Sequence, residues 1–213
     1  MGSRIMTLSK RLMDIAISLL LMILLSPIFL ILLIILAIFE GRPIFYISER
    51  MKTQTQGFSL IKLRTMRTST DNSGVTGGDK STRISRLHRL LRKTRADELP
   101  QLFNVLLGDI SLVGPRPPLR VYVDAFPEIY GRVLQSRPGI TGLASVIYHA
   151  HEEMLLGHCK DAAQTDEVYR RACVPRKARL DIIYQDKRSL CFDLWLIAET
   201  AKKPFHRGQR LDD

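Results

Sequence analysis

Hydrophobic and polar positions divide the chain at its N-terminal end. Residues 15–39 read IAISLLLMILLSPIFLILLIILAIF, 25 residues without a charge, and everything after them is polar, basic and only moderately apolar. At ~1.5 Å per residue such a run makes a helix of about 37 Å, enough to cross a ~30 Å hydrocarbon core. Ser26-Pro27 stands at its middle. A proline removes a backbone donor and clashes one turn back, so a kink is expected there. Cations flank both ends: Arg4, Lys10 and Arg11 before the run, Arg42, Arg50 and Lys52 after it. Without a charge asymmetry to orient a span, three readings stay open: a kinked single span, a re-entrant segment that enters and leaves one leaflet, and a buried core helix. A cleaved signal peptide fits poorly. Its apolar region is only ~7–15 residues and ends at a small-residue site, whereas this run ends at Phe39-Glu40. Residues 7–14 read as the start of the same helix.

Past Arg42-Pro43 the period changes. Residues 44–66 alternate as a strand pair, IFYISER and FSLIKLRTM around a turn at 53–57, leaving Lys62, Arg64 and Arg67 for anions or solvent. Residues 68–80 form a glycine-rich loop whose Gly74, Gly77 and Gly78 are followed by no GK[ST], so it is no phosphate-binding loop. Residues 81–95 predict an amphipathic helix, with Ile84, Leu87 and Leu91 on one face and arginines crowding the rest. Residues 97–107 predict a second helix. Leu99, Leu102, Phe103 and Leu106 are spaced for burial, Pro100 suits its first turn and Gly108 its stop. A turn at 108–118, a helix over 119–134 and a glycine turn at 136–146 follow. Residues 147–174 read as irregular and become helical from about Thr165. Residues 178–203 read as one helix, broken or bent near Ser189. There Leu190, Leu194 and Ile197 share a face, with Trp195 suited to a membrane interface. The sum is an α+β, mostly helical fold. Residues 1–40 form a membrane-embedded segment, and residues 41–213 form one globular domain with a small β-hairpin and surface amphipathic helices.

Composition narrows the partners. The chain has 213 residues and a formal net charge of +11, from 32 Lys+Arg against 21 Asp+Glu. Such a balance favours acidic phospholipid, phosphate-bearing substrates or nucleic acid. The three cysteines have no close pair, which is no disulfide framework and suits a reducing compartment.

Two constellations carry candidate chemistry. Asp97-Glu98 follows a run of cations and opens a helix. That pattern suits a helix cap. It also admits a carboxylate kept ionised as nucleophile or metal ligand beside a second acid, with Arg92 and Arg95 drawing in an anionic substrate. Gly114-Pro115-Arg116-Pro117 holds one arginine between two residues of fixed φ, ready to fork onto phosphate oxygens. His149, His151, His158 and Cys159 match no standard zinc spacing.

These residues also carry a resemblance. KRLMD (10–14), the mid-membrane Ser26-Pro27, Glu49-Arg50, IKLRTM (61–66), DELPQLFNVLLGDISLVGPRP (97–117), RPGITG (137–142) and the D-x-x-Y…SLCFDLWLIAET run (181–200) cover nearly the whole chain. It resembles the bacterial sugar transferases, specifically the small monotopic phosphoglycosyl transferases. The resemblance implies a re-entrant helix broken at Ser26-Pro27 and a domain on the cytoplasmic face of the bacterial inner membrane. It implies transfer of a phosphosugar from a UDP-sugar to polyprenol phosphate, with Mg²⁺, releasing UMP. Asp97 maps to the nucleophile of a covalent aspartyl intermediate, and Glu98 to proton or metal handling. Asp97 and Glu98 are the candidate metal ligands. Arg116, Arg92, Arg64, Lys62 and Arg137 are the candidate phosphate contacts. Expected partners are the UDP-sugar, polyprenol phosphate and anionic lipid, with no nucleic acid. After Gly-Ile-Thr-Gly the family usually places Gln and Arg where this chain has Ser145 and His149. The short chain leans by analogy towards an N-acetylated amino-sugar. The competing class is a membrane-anchored basic module that binds anionic lipid or nucleic acid without catalysis.

Overall fold

In the computed structural model, residues 7–66 and 84–206 are described, with side chains through 202. The expected loop at 68–80, Arg67, Arg83 and the first residues of the basic helix lie outside them. The apolar run forms one helix, α1 (Leu8–Phe39), which starts where the Thr7 side chain accepts from the Lys10 N–H at 3.3 Å. Helical structure continues through Ser26-Pro27, so the expected break does not end the helix. Pro27 has no N–H for the Ile23 carbonyl four residues back, and the Ser26 hydroxyl donates to that carbonyl instead, at 2.9 Å. A serine before a proline thus resupplies the bond the proline removes.

Both ends of α1 are fastened to the same globular body. Near its start, the Lys10 ammonium pairs with Asp193 at 2.8 Å and Asp14 at 3.3 Å. The Ser111 hydroxyl donates to Asp14 at 2.6 Å, and all of these side chains are buried. Arg11 closes on the carbonyls of Val105 and Leu106. At its finish, Leu36 is buried with Leu63 and Leu91, and Glu40 bonds Ser85. Between the anchors the helix surface is bare: Leu20, Ile23, Leu24 and Ile28 are each more than 60% exposed.

The alternating segment forms the expected hairpin, β1 (Phe45–Met51) antiparallel to β2 (Gly57–Leu63), with Tyr46 opposite Lys62 and Arg50 opposite Phe58. The basic helix α2 (Arg86–Thr94) begins later than the pattern predicts, at a Ser85 cap. A 3₁₀ turn (Ala96–Glu98) follows, then α3 (Gln101–Leu107). Asp97 and Glu98 therefore precede the second helix instead of opening it. Within α3, Leu102 and Val105 are buried while Phe103 is 48% exposed, because the helix turns one side to the core and leaves Phe103 outside.

The segment read as a turn contains β3 (Ser111–Val113), which pairs in parallel with β4 (Gly139–Thr141). Parallel strands need a crossover. It is supplied by α4 (Arg120–Ala125) and α5 (Pro127–Val133), two helices where one was expected, divided at Phe126-Pro127. The end of the segment read as a glycine turn is helical, α6 (Leu143–Ile147), and the region read as irregular is mostly helical too: α7 (His149–Gly157) and α8 (Ala162–Val168), then a π-helical turn at Tyr169–Cys173. The last expected helix is two, α9 (Val174–Lys187) and α10 (Leu190–His206), divided near Ser189 as the pattern predicts. In α10, Leu196 and Asp193 are fully buried, while Leu190, Leu194 and Trp195 are 40–49% exposed. The main core gathers Leu60, Leu102, Val105, Ile110, Val113, Tyr184 and Leu196 around β3.

Candidate active site

The turn that carries the dyad is set by Arg95. This residue adopts φ 57°, ψ 19° and caps α2 through its backbone N–H. A left-handed residue here redirects the chain in one step, so Asp97 and Glu98 leave the end of α2 on a short turn. Asn104 of α3 steadies the adjacent hairpin: it accepts from the Ile61 N–H at 3.1 Å and donates to the Ser59 carbonyl at 2.8 Å.

Arg116 is presented by a close backbone crossing. A Cβ on Gly114 would lie 2.2 Å from the Arg137 carbonyl, and one on Gly142 2.2 Å from the Gly114 carbonyl. The Gly114 N–H donates to Thr141 and the Gly139 N–H to Pro115, each at 2.8 Å. Only glycines let the two strands meet this closely. The crossing sends the following Pro115-Arg116-Pro117 back over the dyad.

The two acids have opposite surroundings. Glu98 accepts from Arg116 at 2.6 Å and from Arg95 at 3.4 Å. Burial opposes its ionisation, but those two arginines overcome it and hold the carboxyl down at about 2. Asp97 has no hydrogen-bond partner among the described residues. Burial, then repulsion from Glu98, push it up to about 6, against the pull of Lys62, Arg92 and Arg116. Lys62 is pushed down to about 8, first by burial and then by Arg116 and Arg50.

Of the expected cations, Arg116, Arg92 and Lys62 gather around the dyad. Arg64 instead donates to the Glu40 and Gly41 carbonyls, closing the end of α1. The Arg137 guanidinium lies beside Arg11, Asp14 and Asp109, at the foot of α1. Arg50, which the sequence placed only among the cations flanking the apolar run, lies near Arg116 and Lys62 in the structure. It shares a hairpin face with Lys62, which strand alternation signals once the pairing is known. Ser145 stands on α6, and His149 opens α7 with its Nε2 3.5 Å from Glu153.

A hard divalent cation binds one or two carboxylates together with substrate phosphates. Asp97 fits that donor set: its oxygens are unpartnered among the described residues and a phosphate-attracting cluster faces it. Among the described residues no group of three or more potential ligands forms an all-protein metal cage.

An unpartnered carboxyl amid cations, beside an acid locked by arginines, suits transfer of a phosphorus-centred group. Comparison with known proteins agrees. The sequence model of the bacterial sugar transferase family matches residues 5–207. An uncharacterised sugar transferase of Bacillus subtilis is 34% identical over 91% of this chain and 86% of its own length. A UDP-N-acetylgalactosamine–undecaprenyl-phosphate N-acetylgalactosaminephosphotransferase of Aeromonas hydrophila is 31% identical over 91% of this chain. A UDP-glucose:undecaprenyl-phosphate glucose-1-phosphate transferase of Caulobacter vibrioides is 38% identical over 65% of it. The chain spans only 43% and 54% of the length of these last two relatives.

Proposed function

We propose, because the chain belongs to the bacterial sugar transferase family, that it moves a sugar-1-phosphate from a UDP-sugar to a polyprenyl (undecaprenyl) phosphate. Asp97 carries the reading: it is the acid of the pair that no arginine occupies. An Asp97 carboxylate oxygen attacks the β-phosphorus of the UDP-sugar. An O–P bond forms and the bond to the α-phosphate oxygen breaks, so UMP leaves with that electron pair. A phosphate oxygen of the lipid then attacks the same phosphorus. The acyl-phosphate bond breaks, Asp97 returns as carboxylate, and polyprenyl diphosphate-sugar remains in the membrane. Arg116, Lys62 and Arg92 stabilise charge on the transferring group. Glu98, fixed by Arg95, orients Arg116. Asp97 would hold Mg²⁺, and the ion would supply further charge neutralisation to the phosphates.

In this reading α1 is the membrane element and enters and leaves one leaflet, bending at Ser26-Pro27 without ending the helix. A helix whose two ends are both fastened to one domain has both ends on one side of a bilayer. The domain then lies on the cytoplasmic face of the inner membrane, where UDP-sugars are available.

The test is UMP release by the purified full chain, offered a panel of UDP-sugars with polyprenyl phosphate and Mg²⁺. One UDP-sugar supports release, and Asp97→Asn lowers it at least ~10³-fold, as expected for loss of a nucleophile. Release undiminished in Asp97→Asn removes Asp97 from that role. Release from no UDP-sugar, together with salt-sensitive nucleic-acid binding, favours a basic binding module instead.

A further inference from the structure

Three carboxylates surround Arg116. Glu98, then Asp97 and Glu152, raise its guanidinium above the usual pKa. Only Glu98 bonds it, and the Arg116 side chain is 39% exposed, so its remaining N–H groups stay open to a ligand. Glu152 stands outside the dyad turn, on α7. Its charge is taken by Lys177 of α9, whose ammonium donates to both carboxylate oxygens, at 2.9 and 3.1 Å. The same ammonium donates to the Tyr169 hydroxyl at 3.4 Å and lies 5.1 Å from the centre of that ring. Tyr169 opens the π-helical turn and packs on Tyr122, ring centres 4.9 Å apart. Burial and Arg116 oppose the charge on Lys177, but Tyr169 and Glu152 outweigh them and raise its pKa. We infer that Lys177 is a positioning residue for the sugar donor: by neutralising Glu152 it leaves Arg116 to the donor's diphosphate, an assignment that rests on the transferase reading.

Charge balance carries the inference. A diphosphate brings further negative charge to an arginine that already has three acids around it. Two of them are spoken for: Glu98 by Arg95 and Arg116, Glu152 by Lys177. Asp97, the attacking group, is the one left without a bonded cation among the described residues. Removing the Lys177 ammonium would leave Glu152 charged with Arg116 as its neighbour. Glu152 would then compete with the diphosphate for that guanidinium and repel it, and like charges brought together at a binding site weaken binding strongly. Asp181, one turn beyond Lys177 on α9, plays no such part. Burial pushes its carboxyl up to about 7 against the pull of Lys177, so without that ammonium it stays protonated.

The experiment titrates UDP into the full chain in mixed micelles with Mg²⁺ and reads Kd. Lys177→Met is expected to weaken UDP about tenfold. Adding Glu152→Gln, so that no charge is stranded, should return Kd to within about twofold of the wild-type value. In an Arg116→Gln background Lys177→Met should change Kd by less than about twofold, because the group it acts through is gone. A lysine that only ties α7 to α9 would weaken UDP equally in both backgrounds. That result, or no rescue by Glu152→Gln, overturns the assignment. Should Lys177→Met not fold, Lys177→Gln, which can still donate to Glu152, takes its place in the same cycle, with a smaller loss that again vanishes without Arg116. The two readings fail separately. UMP release with an unchanged KM for the UDP-sugar in Lys177→Met overturns the role of Lys177 alone. The full coupling pattern in a chain that releases UMP from no UDP-sugar supports that role at a diphosphate site and overturns the transferase reading.

Discussion

Burial and the neighbouring Glu98 push the Asp97 carboxyl up to about 6, while Arg116 and Arg95 hold Glu98 at about 2. A nucleophilic carboxylate must be ionised, so activity gains as pH rises through the Asp97 value, while Glu98 stays charged throughout. Since kcat/KM reports the free enzyme, it should fall about tenfold from pH 7 to pH 5 when UMP release is followed at low UDP-sugar. Added Mg²⁺ should shift the fall to lower pH. A flat profile over that interval would show that Asp97 does not titrate there. A second residue-scale prediction concerns Lys10. Its ammonium is buried between Asp14 and Asp193. Lys10→Met strands two buried carboxylates, and removing one partner of a buried ion pair costs about 3–5 kcal/mol. A marked drop in Tm should follow, whereas the exposed Lys202→Met should leave Tm within a degree or two.

Elements show which patterns are legible. The hairpin follows from period-2 alternation, and its ends match within three residues. The parallel β3–β4 pair was illegible. Three-residue strands carry no period, and their pairing depends on a crossover made elsewhere in the chain. Residues 147–174 look irregular because their helices are short and polar outside, and burial of Leu156 and Cys173 in a shared cluster stabilises them only in the fold. In α1 the Ser26 hydroxyl serves the Ile23 carbonyl that Pro27 cannot. An unsatisfied carbonyl in lipid is costly. Ser26→Ala should therefore destabilise the embedded protein by about 1–2 kcal/mol, read as a lower unfolding midpoint in mixed micelles. Ser26→Thr, which keeps the hydroxyl, should restore it.

For the whole molecule, the bare surface of α1 and the exposed Leu190, Leu194 and Trp195 of α10 describe one proposed membrane-facing side. The chain has one tryptophan, so intrinsic fluorescence reads Trp195 alone. Vesicle binding should shift its emission to the blue, and lipids brominated near the headgroup should quench it more than lipids brominated at the chain ends. No quenching would place α10 away from the bilayer. By itself the sequence determined the apolar helix, the hairpin, the dyad with its proline-bracketed arginine, and the family, because each rests on local composition or an unbroken motif. Tertiary structure alone decided which cations serve the dyad. Arg64 stands in the same motif as Lys62, and Arg137 precedes a proline as Arg116 does, yet Arg64 closes the end of α1 and Arg137 lies at its foot. A guanidinium's role depends on which backbone or carboxylate the folded chain brings within a few ångströms, and no spacing along the sequence encodes that distance. The same holds for the adjacent acids: their charges are alike, and only the crossing of β3 over β4 places arginine on Glu98 and leaves Asp97 open.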